Sequence, residues 1–149
     1  MLRSIRLIAA ALVLAACDMP TESQNPTPVP GEPSVQRQVW ERQDIDDYRY
    51  VYGRACFCVD LPLVSVRVRD GQVVDVRVAS TGRPLDRDRW DEIPTVDQVF
   101  DFIAQAEARD EAADVKYHPT LGYPMRVMLG TLANDAGVNY YLDGLQPVD

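Results

Sequence analysis

Between Leu63 and Ala79, Val64, Val66, Val68, Val74, Val76 and Val78 share one parity, with Ser65, Arg67, Asp75 and Arg77 between them. A period of two with one apolar side marks strands that are dry on one face and wet on the other. Asp70-Gly71 in the middle marks a hairpin. A two-residue Asp-Gly turn would pair Val66 with Asp75 and mix the faces. A three-residue loop, Arg69-Asp70-Gly71, pairs Val66 with Val74 and Val64 with Val76, so that register is expected.

The same alternation runs from Asp47 to Val59. Tyr48, Tyr50 and Tyr52 fall on one side of this strand, and Val51, Ala55, Phe57 and Val59 on the other. The period then changes: Val96, Val99, Phe100, Ile103 and Ala106 form a helical stripe to about Ala108, opened by a Thr95/Gln98 capping box behind Pro94. A shorter helix, Val35 to Gln43, is expected behind a Ser34 cap, with Val39 and Trp40 turned inward. Three further strands follow at Asp114–His118, Tyr123–Leu129 and Asn139–Leu145, separated by turn signals at Gly122, Asn134-Asp135 and Gly137. Ser80 to Glu92 is polar and expected to be a loop. The order helix, three strands, helix, three strands predicts an α+β domain: a two-layer, six-stranded antiparallel sheet with two helices on one face.

The N-terminus follows a different logic. Arg3 and Arg6 precede a ten-residue apolar run, Leu7 to Ala16, that is too short to span a bilayer and fits a secretory signal. Leu14-Ala15-Ala16-Cys17 matches a lipobox, so residues 1–16 are expected to be removed and Cys17 to carry lipid. Asp18 resembles the retention signal of inner-membrane lipoproteins. Residues 17–34 hold five prolines among polar residues and read as an extended tether, leaving 35–149 as the globular domain. The expected address is the cell envelope, anchored to the lipid bilayer through the acylated N-terminus.

Charge narrows the partners. The formal net charge is −8, and removal of residues 1–16 would take away two basic residues and no acid. An acidic surface argues against nucleic acid and against adhesion to anionic lipid.

Three cysteines become a pair once Cys17 is lipidated: Cys56 and Cys58. In an oxidising compartment a disulfide is expected. Residues two apart on a strand lie about 6.6 Å apart at Cα, near the disulfide limit of roughly 6.8 Å, so the chain must contract locally. Such a bond would be reduced more readily than an ordinary structural one. A clip is expected ahead of a redox pair, which usually needs a cysteine at a helix N-terminus. A metal site would want more ligands, and His118 is the only histidine, read here as a loop-edge residue. Asp44, Asp46 and Asp47 read as turn formers, and Asp86, Asp88, Asp91 and Glu92 as a solvated loop lacking the spacing of a calcium site. No cofactor is expected. The seven tyrosines are expected mainly in the core and at sheet edges, with a binding surface as the alternative for any that cluster on the open face.

Trp40, Tyr48 and Tyr50, Cys56-x-Cys58, the Asp70-Gly71 hairpin, Tyr117 and Gly122-Tyr123-Pro124 occur in an order that resembles a family of small bacterial lipoproteins classed as a domain of unknown function. The resemblance runs from Trp40 to Pro147 and implies architecture and location, with no activity. The layout is also similar to the helix-plus-meander units of beta-lactamase inhibitor proteins and PepSY-type domains, which implies fold alone. The expected role is a non-enzymatic, tethered accessory domain that contacts an envelope protein through its sheet face or edge. The alternative is a thiol-redox protein acting through Cys56 and Cys58. An intact mass of the mature protein, with and without reduction and alkylation, should show lipid on Cys17 and two thiols released only by reductant.

Overall fold

In the computed structural model, which describes residues 26–130 and 137–148, seven antiparallel strands form one sheet under a layer of helices. The elements are β1 (Val29–Pro30), α1 (Pro33–Glu41), β2 (Tyr48–Cys56), β3 (Val64–Arg69), β4 (Gln72–Val78), a short 3-10 helix (Arg87–Glu92), α2 (Val96–Ala108), β5 (Ala113–Tyr117), β6 (Pro124–Leu129) and β7 (Val138–Pro147). The α+β reading stands, with one strand and one short helix more than expected. The signal peptide, Cys17, Asp18, the tether to residue 25 and the Asn134-Asp135 turn lie outside the described residues. Among the described residues no helix is long and apolar enough to cross a membrane.

Strand order is β1-β5-β6-β7-β2-β3-β4. Two meanders, β2-β3-β4 and β5-β6-β7, are therefore joined where β7 pairs with β2. The chain leaves β4 at one edge and resumes with β5 near the other. The connection must cross the whole sheet, and α2 is what crosses it.

The stripe expected for α2 is buried at every position: Val96, Val99, Phe100, Ile103 and Ala106. Its capping box is present, with Thr95 accepting from the Gln98 amide and Gln98 accepting in return from the Thr95 amide. The apolar parity of β2 and β3 faces α2, so Tyr48, Tyr50, Tyr52, Val64, Val66 and Val68 are all buried. In β7 a register shift against β2, between Arg49 and Val51, lets both Leu142 and Leu145 join the core. The other face of the sheet is polar, with Arg67 opposite Asp75 and Arg126 bonded to Asp143 at 2.7 Å.

Three expectations change. The hairpin uses the two-residue turn: Asp70 and Gly71 both have positive φ, 47° and 68°, the geometry whose twist matches the flanking strands. A bulge after Arg67 then restores the parity, pairing Val66 with Val76 and Val64 with Val78 and leaving Val74 on the outside. The extra residue sits in the ladder and not in the loop.

Second, the segment read as tether up to residue 34 is partly built into the fold. Val29 and Pro30 pair with Tyr117 and Lys116, adding the seventh strand. Helix α1 begins at Pro33 with Glu32 as its cap residue, because Pro pre-sets the φ of a first helical turn. Gly122 (φ 76°) lets this helix lie close, since a Cβ there would come within 2.8 Å of the Gln36 carbonyl. Third, β2 stops at Cys56, so the run to Val59 does not stay in the sheet.

Two tyrosines of β2 differ in a way that stability can read. The Tyr50 hydroxyl donates to the Pro94 carbonyl, whereas the buried Tyr52 hydroxyl has no partner among the described residues. Tyr50→Phe should cost about 1–2 kcal/mol in urea unfolding by orphaning a buried carbonyl, while Tyr52→Phe should be neutral or stabilising.

Candidate functional site

From the last residue of β2 the chain runs through an eight-residue segment, Cys56 to Leu63, whose seven residues after Cys56 leave the sheet and behave unlike the other loops. Phe57 is 83% exposed, Val59 76% and Leu63 58%. They are three of only five large apolar side chains that stand exposed among the described residues. Scattered exposed apolar residues are ordinary, but three within seven positions form a patch. On the strand pattern Phe57 and Val59 belonged to a sheet face. The strand stops first, and they project into solvent.

The loop is held from beneath. Leu61 is its one buried residue, 5% exposed, and packs into the core. Arg54, the last charged residue of β2, donates to the Val59 carbonyl at 3.3 Å and pairs with Glu92 at 2.7 Å. Arg89 donates to the Asp60 carbonyl at 3.0 Å and pairs with the same Glu92 at 2.8 Å. One carboxylate thus orients two guanidinium groups, and each grips a successive carbonyl of the loop. Sharing a charged hub lowers the conformational cost of each pair, and planar guanidinium groups lose little freedom per bond formed. The two arginines hold the Glu92 carboxyl below the usual carboxylate range, Arg89 contributing most. The hub is therefore charged at neutral pH.

At the other end of the loop, Leu63 bends over the polar face and lies on Gly53. A Cβ at residue 53 would come within 2.6 Å of Leu63 Cδ2. At its start, Cys56 and Cys58 bring their sulfurs into contact, with Cα atoms 5.2 Å apart. That is well inside the disulfide range and shorter than a flat strand allows, so the contraction expected from the spacing is made by the bend at 57–59. Cys58 is exposed and Cys56 half-buried.

The loop also has a fixed direction. Cys56 pairs with Val138, and Val138 with Leu129, which in turn faces Ala113. All four mark one end of the sheet. Residues before Val29 arrive beside Tyr117, at the opposite end of β5.

Other candidates do different work. The His118 ring stacks on Tyr123 at 5.0 Å, and its Nδ1 accepts from the amides of Thr120 and Leu121. Burial lowers its pKa, which keeps it neutral and suits a turn-holding acceptor. Asp47 accepts from the Asp70 amide at 2.9 Å, tying the helix-to-strand junction to the hairpin tip. Tyr48, Tyr50, Tyr52, Tyr117 and Tyr123 are core residues whose hydroxyls burial pushes up, to about 12 for Tyr123. Tyr141 is half-buried on the polar face under the Arg126 guanidinium, 5.3 Å from the ring centre. The Arg54–Glu92–Arg89 clamp had no clear sequence signal. Arg89 and Glu92 stand three apart in a charged segment, but Arg54 comes from another element 38 residues away.

Residues 33–147 match a family of unknown function, DUF6174. No curated protein and no solved structure matches the chain.

Replacing Glu92 with Ala should free both arginines and the two carbonyls they hold. Amide exchange of residues 59–63 is expected to speed up several-fold while exchange in β2 and α2 stays unchanged; uniform acceleration would mean that the clamp supports the whole fold.

Proposed function

Because the chain belongs to the DUF6174 family, to which no activity is assigned, its role has to be sought in its geometry, and we propose a lipid-anchored, non-enzymatic protein of the bacterial cell envelope that presents the Cys56–Leu63 loop to a protein partner. The observation that carries this reading is a solvent-exposed apolar loop held in place by a buried leucine and a three-residue ion cluster. A floppy apolar loop pays ordering entropy on binding, whereas a pre-ordered one spends its burial on affinity. Phe57 has the character of an interface anchor, an aromatic ring that gains most when a partner's pocket desolvates it.

Direction supports the same reading. A lipid at Cys17 would put the membrane on the side from which residues before Val29 arrive, and the loop is at the far end of the sheet. It would face outward, toward whatever stands across the envelope. The loop is thus preferred to the sheet face or edge as the contact surface. The open face is laced with ion pairs, and the outer side of β4 is occupied by the chain at Arg83–Leu85, where the Val78 amide donates to the Arg83 carbonyl and the Leu85 amide donates to the Val76 carbonyl.

The thiol-redox alternative rests on the contact between Cys56 and Cys58. It has less support as a catalytic role, since neither cysteine stands at a helix N-terminus where a thiolate would be stabilised.

A photo-crosslinking side chain placed at Val59 in living cells should capture one discrete envelope protein. The same probe at Val35, an exposed apolar position on α1, should not. No adduct at Val59, or equal capture at both sites, would remove the docking reading.

A further inference from the structure

We propose that Cys56 and Cys58 form an exchangeable clasp, opened by a thiol that attacks Cys58, and that its state regulates presentation of the loop; this rests on the docking reading for that loop. The ring closed by the two sulfurs encloses a single residue, Phe57, the most exposed of the large apolar side chains among the described residues. A bond at that place fixes the bend that carries the aromatic ring and little else. Leu61 and the arginine clamp hold residues 59–61 independently of it.

The fold does not lean on the clasp. Cys56 is the last residue of β2, and the core cluster contains neither cysteine. A cross-link across so short a loop also removes little entropy from the unfolded chain, since that effect grows with loop length. Opening it is therefore a local event.

The two sulfurs are not equivalent. Cys58 is exposed at the turn, while Cys56 is half-buried and kept in register by its pairing with Val138. An incoming thiolate, from glutathione or an exported thiol oxidoreductase, bonds to Cys58 Sγ. The Cys56–Cys58 bond breaks, and its electron pair leaves on Cys56 as a thiolate, which takes a proton from water. Attack by Cys56 on the mixed disulfide restores the clasp and expels the thiol. Attack by a second thiolate on the sulfur of the first thiol, now bound to Cys58, expels Cys58 as a thiolate that takes a proton from water, giving the dithiol and one disulfide of the two attackers, a balanced transfer of two electrons. With the clasp open, Phe57 regains conformational freedom and the surface loses its pre-order.

The test uses the purified oxidised mature protein in reduced glutathione, followed by alkylation, mass mapping and thermal unfolding. The pair should open reversibly in the folded state, glutathione should map to Cys58, and Tm should shift by no more than a few degrees. In cells, capture from a probe at Val59 should fall at least five-fold in the Cys56→Ser/Cys58→Ser variant. The proposal is overturned if the pair opens only on unfolding, if glutathione maps to Cys56, or if capture is the same with the clasp open. Absence of capture even from the oxidised wild type would defeat the docking reading and the regulatory role with it, and the exchange measurement would then report on the chemistry alone.

Discussion

The N-terminus of α2 is set on the hydroxyls of β2, and much of the molecule depends on that contact. Tyr48 accepts from the Val96 amide at 3.0 Å, and Tyr50 donates to the Pro94 carbonyl. Trp40 of α1 reaches the same turn through Asp97 at 3.2 Å and packs edge-on against Tyr48. The first turn of a helix has amides with no partner of their own, and burying them requires a partner from elsewhere. Here a capping box supplies partners for the Thr95 and Gln98 amides and a tyrosine supplies one for Val96. The helix that must cross from one sheet edge to the other is thereby fixed at its start, in the middle of the apolar face.

From that anchor the remaining layers follow. Arg37 of α1 bonds to Asp101 on α2 at 2.8 Å, and Phe100 stacks near Tyr117, so the helices and the β5 side of the sheet share one core. The 3-10 helix that leads into α2 is held in place as well, which puts Arg89 and Glu92 beside the end of β2. The clamp under the Cys56–Leu63 loop is thus a consequence of where α2 starts. A loop built on this support differs from a mobile one in that its Val59 and Asp60 carbonyls already accept from arginines and its Leu61 is already packed in the core.

The tyrosines show how a sequence feature can be read correctly in pattern and still leave its purpose open. Their alternation placed Tyr48, Tyr50 and Tyr52 on one side of a strand, as observed. Whether that side faced water or helix depended on the path of α2. Likewise the even spacing of the valines required a register that keeps the faces separate, and the chain achieves it with a bulge in β4 instead of a longer loop. Both solutions keep Val64, Val66, Val68 and Val76 on one face and differ in where they put Val74, so periodicity alone could not choose. Val29–Pro30 was hidden for another reason: a two-residue strand rich in proline carries no periodic signal, and only the free edge of β5 gives it a place.

By itself the sequence determined the α2 stripe and its cap, the hairpin at Asp70-Gly71, the order of the two α-helices and of six of the seven strands, and the close approach of Cys56 to Cys58. These are local consequences of side-chain periodicity, turn stereochemistry and spacing along the chain. It also carries the lipobox-like segment ending in Cys17. Tertiary structure alone decided that β7 lies between β6 and β2, that Arg54 meets Glu92, and that Phe57 and Val59 face solvent. Each of those depends on which distant segments the core brings together, and burial is settled by the neighbours a residue acquires, which a strand pattern read along one segment does not contain.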